Sequence, residues 1–140
     1  MSTAPKWFKI VAGVALLWNL IGCLAFASDL MLTPEDVAEM SEAQQTLYET
    51  RPGWALAGTA VAVIGGALGC LGLLMGKAWS KVVLILSVLG LIAQDIALFV
   101  LVNGYALAGS PVLILQTIVL VIGICLVALS HQGIKAGWLT

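Results

Sequence analysis

Four long apolar runs constrain this chain more than any other feature. They cover about residues 10–28, 54–76, 82–102 and 111–130. Each is close to the roughly 20 residues that an α-helix needs to cross the hydrocarbon of a bilayer. They are too long for barrel strands and show neither strand alternation nor a polar lumen face. Of 140 residues, 61% are hydrophobic and 9% charged, against about 25% charged in a soluble domain. Such a chain needs lipid as its solvent. The expected fold class is an all-α membrane protein: a four-transmembrane-helix antiparallel bundle forming a single membrane domain over 1–140. Short helices are expected in the extracytoplasmic loop, about 29–53, between helices 1 and 2.

Charge sets the expected topology. Lys6, Lys9, Lys77, Lys81 and Lys135 fall before run one, between runs two and three, or after run four. Asp29, Glu35, Asp36, Glu39, Glu42 and Glu49 fall between runs one and two, with Arg51. The positive-inside rule places both termini and the "KAWSK" turn in the cytoplasm and the acidic loop outside. The chain's net charge of −1 conceals this split. Lys6, Lys9, the apolar run and "AFA" at Ala25–Ala27 also fit a signal peptide. The length of the run, and Trp18, Asn19 and Gly22 within it, favour a packed membrane helix. The chain is therefore expected to cross a membrane four times.

Local signals refine the loops. "TPED" at Thr33–Asp36 offers an N-cap threonine, a proline at the first turn and acids where the helix dipole favours them. "SEAQ" at Ser41–Gln44 is a second capping box. One or two short helices should end near Thr50. Asn103-Gly104 signals a turn, and Ser110-Pro111 should cap and start the fourth helix. Trp7, Trp54, Trp79, Trp138 and Tyr105 lie near expected interfaces, as an aromatic belt.

Helix two carries the clearest pattern. Gly58, Ala62, Gly65, Gly69, Gly72 and Gly76 recur at steps of four and three, a face almost without side chains. Small residues let two helix backbones approach closely. The partner is expected inside the bundle, although a second subunit would fit the same stripe. Helix one has a related face that includes Ala12, Ala15, Asn19 and Gly22.

Asp95 stands in "GLIAQDIALFV", within run three. A carboxylate at the centre of a membrane helix costs roughly 2.5–3.5 kcal/mol on insertion scales. At about 1.5 Å per residue, Asp95 lies about 11 Å below the outer surface and Asn19 about 14 Å. Gln116, Thr117 and Thr59 lie about 8 Å below it by the same rise. With Gln94, these residues form a candidate intramembrane polar site. Lipid cannot satisfy them, so they should turn inward and meet. Asn19 and Gln116 are the expected partners of Asp95. Two readings remain: interhelical hydrogen bonds that fix register, or a proton or solute site below a cavity open to the outside.

No calcium-loop spacing, metal-ligand cluster, nucleophile–base pair or phosphate loop is present. No cofactor, metal or enzymatic activity is expected. Cys23, Cys70 and Cys125 lie within the runs as small hydrophobes. His131, the sole histidine, should cap carbonyls at the end of helix four. Charge and location exclude nucleic acid.

The stretches "LLWNLIGCLAF", "TPEDVAEMSEAQQTLYETRPGWALAGTAVAVIGGALGCLGLLMGKAWSKV" and "LSVLGLIAQD" resemble a family of small, uncharacterised bacterial inner-membrane proteins. The resemblance covers most of the chain. It implies a four-helix bundle with an ordered loop after helix one. Members are sometimes labelled sugar transporters, but the resemblance brings no catalytic or ligand residues. The small multidrug exporters have similar length and helix number, with their essential acid in helix one. Here helix one has Asn19 and the acid is in helix three. Two function classes remain. One is a structural or accessory subunit, acting as a homo-oligomer or in a larger membrane-protein complex, with membrane lipids around it. The other is a small oligomeric transporter or channel using the polar site around Asp95.

Overall fold

The computed structural model describes residues 3–101 and 110–140. The described residues are helical, without strands, and four helices are long and apolar enough to cross a membrane. These are α1 (Lys6–Leu30), α4 (Gly53–Leu74), α5 (Ser80–Ile96) and α6 (Ser110–Lys135). A π-helical turn, Ala97–Leu101, continues α5. The turn expected at Asn103-Gly104, and Tyr105, lie outside the described residues. Ser110 is the first helical residue of α6 rather than the residue before it.

Two short helices, α2 (Pro34–Ala38) and α3 (Glu42–Thr50), lie between α1 and α4. Thr33 and Asp36 form a reciprocal capping box: Asp36 N–H donates to Thr33 Oγ1 at 3.2 Å, and Thr33 N–H to Asp36 Oδ2 at 3.0 Å. The Thr33 backbone N–H, and then the Thr33 side chain, hold the Asp36 carboxyl below its ordinary range. The box is therefore complete above that range and weakens as pH falls through the lowered value. At Ser41 only half of the expected box forms. Gln44 N–H donates to Ser41 Oγ at 3.2 Å, while Gln45 turns back to the carbonyls of Ala38 and Met40.

Helix α4 is the most enclosed of the four, packed between α1 and α5; α6 packs on α5. Its glycines explain why. A methyl group built on Gly58 would lie 3.0 Å from the Gly90 carbonyl of α5; on Gly65, 3.3 Å from Ser87 Cβ; on Gly72, 2.9 Å from Ser80 Cβ. Rising numbers on α4 thus meet falling numbers on α5. On Gly69 the methyl would strike the Leu84 side chain, and on Gly90 it would reach Gly58 O at 2.5 Å. The stripe faces α5 within the same chain, and Ser87 Oγ donates to Ala62 O across the seam at 2.6 Å. Gly76 does not belong to it: α4 stops at Leu74, and Gly76 takes φ +70° in the following turn. Gly66, outside the stripe, receives the Asn19 side chain of α1.

The two ends of the bundle differ. At one end Phe8, Ala12, Leu73, Leu84, Leu126 and Leu139 form a buried apolar cluster. The segment after α6 folds over it. Trp138 N–H donates to Gly133 O at 2.8 Å, Thr140 N–H to Gly76 O and Ala78 N–H to Thr140 O, both at 3.0 Å. Trp138 stacks edge-on against Phe8 and Trp7, at 5.2 and 5.8 Å between centroids. His131 Nδ1 meets Lys81 Nζ at 3.1 Å, so its partner is a side chain of α5 rather than helix-end carbonyls. At the other end, beside α3, the helices leave a cavity.

Candidate functional site

The close approach of Gly58 and Gly90 sets up a polar contact one residue and one turn further on. Thr59 follows Gly58, and Gln94 lies four residues after Gly90. Thr59 Oγ1 is 2.6 Å from Gln94 Oε1, and Gln94 Nε2 donates to Gln116 Oε1 at 3.2 Å. Since Gln94 uses its nitrogen on Gln116, its oxygen must accept, so the single Thr59 hydroxyl proton points to it. Ala55 O, 3.1 Å from the same hydroxyl, is the weaker acceptor. Three helices, α4, α5 and α6, are tied together at one depth.

This chain of amides is a shared wall between two cavities. The first, about 340 Å³, is a vestibule beneath α3, lined by Asp29, Gln44, Tyr48, Arg51 and the three wall residues. Arg51 Nη1 pairs with Asp29 Oδ2 at 3.0 Å, and its guanidinium lies 5.4 Å from the centre of the Tyr48 ring. The second, about 350 Å³, is a groove between α1 and α6, floored by α4 and α5. Its polar side chains below the wall are already engaged. Asn19 Nδ2 donates to Ala15 O at 2.8 Å and to Cys70 Sγ at 3.7 Å, and Ser87 bonds Ala62 O. The groove's rim carries exposed Trp18, Ile21 and Leu115.

The six residues expected to gather do so only in part. Thr59, Gln94 and Gln116 meet. Asn19 lies against Gly66, two turns along α4 from Thr59, and bonds its own helix and Cys70. Thr117 is exposed and donates to Leu113 O at 2.8 Å. Asp95 lines neither cavity, and Asn19 and Gln116 are both committed elsewhere. Its Oδ1 is buried without a hydrogen-bond partner among the described residues. The physical reason is angular: Asp95 lies one turn beyond Leu91 and two beyond Val88, the residues that meet α6 at Gly123, whereas Gln94 lies on the face that meets α4. The hub of the site is therefore Gln94. Sequence spacing carried that signal, since Gly90 and Gln94 share a helix face. Tyr48 and Met40, two of the loop residues whose pattern allows them at the bundle's outer mouth, do line the vestibule; Asp29 and Arg51 were not anticipated there, because only the folded loop brings them together.

Among the described residues, no cluster of three or more histidine, cysteine or acidic side chains could hold a metal ion. The cysteines are free. No protein family, curated protein or solved structure matches the chain.

Proposed function

We propose that this chain is a ligand-binding subunit of the bacterial inner membrane, an antiparallel four-helix bundle of the kind it resembles. Both termini face the cytoplasm and α2 and α3 face outside. One observation carries the reading: a hydrogen-bonded wall of three neutral polar residues, Thr59, Gln94 and Gln116, stands between two cavities, the loop-side vestibule and the groove that runs from it. Concave sites with a few convergent polar groups are where ligands bind. A purely structural network would leave no room beside it. The opposite half is closed by the Phe8, Leu73 and Leu139 cluster, so one copy in this conformation binds from outside and offers no path through. Movement of a solute would need a second conformation or partner subunits, as a homo-oligomer or in a larger complex.

The test is thiol accessibility in a protein whose three cysteines are alanine. Thr59→Cys and a cysteine at Glu42 should react with a charged, membrane-impermeant reagent added outside, and Lys77→Cys only after the inner face is opened. A Thr59→Cys protein inert from both sides would remove the binding cavity. Labelling of position 77 from outside would invert the topology.

A further inference from the structure

We propose that the paired cavities hold one phospholipid of the adjoining leaflet, with its head in the vestibule and an acyl chain in the groove. The selected head carries both a phosphate and a primary ammonium. This rests on the reading that the loop-side cavities are the working site, and it specifies their ligand.

The groove has the length of one acyl chain. Its α6 lining runs from Leu115 to Leu126, about 16 Å at 1.5 Å per residue. That is about half of a roughly 30 Å hydrocarbon core. Its volume of about 350 Å³ over that length leaves a cross-section of about 22 Å². An α-helix, 10–12 Å across with side chains, does not fit, so a second copy of the chain cannot fill it. A single alkyl chain does. The groove lies between α1 and α6, and its rim of exposed Trp18, Ile21 and Leu115 is an apolar surface suited to lipid. Because the donors of Asn19 and Ser87 are already spent, the wall below the amides offers an alkyl chain little unmet polarity.

The upper end has the opposite character. Gln116 Nε2 has no partner among the described residues, and it stands where a chain leaving the groove would present its ester carbonyl, a pure acceptor. Above it sit one cation and one anion, Arg51 and Asp29, each more than two-thirds buried. Arg51 has five N–H donors, of which one serves Asp29; the others suit a phosphate. Asp29 keeps a free oxygen for an ammonium. An anionic head without a cation would satisfy Arg51 and be repelled by Asp29. A head with both charges satisfies the two and leaves the pair's neutrality intact.

The experiment equilibrates the purified protein with equimolar phosphatidylethanolamine and phosphatidylglycerol vesicles, extracts it in mild detergent and counts retained lipid by mass spectrometry. About one phosphatidylethanolamine per chain is expected, at least tenfold over phosphatidylglycerol. Arg51→Gln and Asp29→Asn should bring that ratio near one. Ala25→Trp, at an exposed position on the groove wall, should lower retention of both lipids at least tenfold without touching the head site. Free phosphoethanolamine should not displace the lipid. Equal retention of phosphatidylglycerol, unchanged retention in Ala25→Trp, displacement by the free head, or a folded protein that holds no lipid would each overturn the proposal. Failure here with Thr59→Cys still labelled from outside removes the lipid alone; failure of both removes the cavity as well.

Discussion

Gly90→Ala should destabilise the protein by about 3 kcal/mol, the upper end of ordinary overpacking costs, and Gly90→Leu should prevent assembly of the helices. The added carbon would sit 2.5 Å from Gly58 O and 2.9 Å from Ala62 N. Both obstacles are backbone, so no side-chain rotation relieves them. Separating α4 from α5 would also break the Ser87–Ala62 bond and pull Thr59 from Gln94. Gly13→Ala is the control, because nothing lies within 4 Å of a carbon built there. It should be neutral or slightly stabilising, as alanine is the better helix former. The comparison is made by unfolding in mixed micelles with increasing SDS. Equal midpoints for Gly90→Ala and Gly13→Ala would show that α4 and α5 do not touch as described.

Replacing the Asp95 carboxyl should have the opposite sign. Asp95→Leu is expected to stabilise the protein by about 1–3 kcal/mol, the usual cost of an unsatisfied buried polar group, and Asp95→Asn by less, because its amide oxygen inherits the unpartnered position. The carboxyl has a buried oxygen without a partner among the described residues. Read from sequence, Asp95→Leu should harm the protein by stranding Asn19 and Gln116. In the fold those two are held by Ala15, Cys70 and Gln94, so leucine strands nothing and should stabilise more than asparagine. The same SDS titration decides it. A loss of more than about 1 kcal/mol in either variant would mean that the carboxyl has a partner in the membrane.

What could be read from the sequence, and what could not, follows from how local each signal is. Helix positions came from run length alone, since lipid demands about 20 apolar residues with every backbone group paired within the helix. The small-residue face of α4 was legible from its spacing, but its partner was not: Gly90 is one glycine among 15 in the chain, and nothing in α5 marks it as the point of backbone contact. Gly76 fitted the stripe's spacing yet serves a turn, because spacing carries no information about where a helix stops. Depth was readable and put Thr59, Gln94 and Gln116 in one slab. Angle was not, and at 3.6 residues per turn adjacent residues such as Gln94 and Asp95 point to different neighbours. The vestibule depended on a tertiary event, the folding of α3 over the helix ends, which pairs Arg51 with Asp29, 22 positions apart in the chain.

If the loop-side half of the bundle admits water from outside and the other half is sealed, nitroxide labels placed one at a time at Ala55, Thr59 and Leu73 of α4, in reconstituted protein, will differ in their collisions with a water-soluble nickel chelate and with oxygen. Strong chelate access is expected at 55 and 59, which line the vestibule, and neither probe should reach 73, in the buried cluster. Low chelate access at all three sites, or chelate access at 73 equal to that at 59, would overturn this division of the bundle.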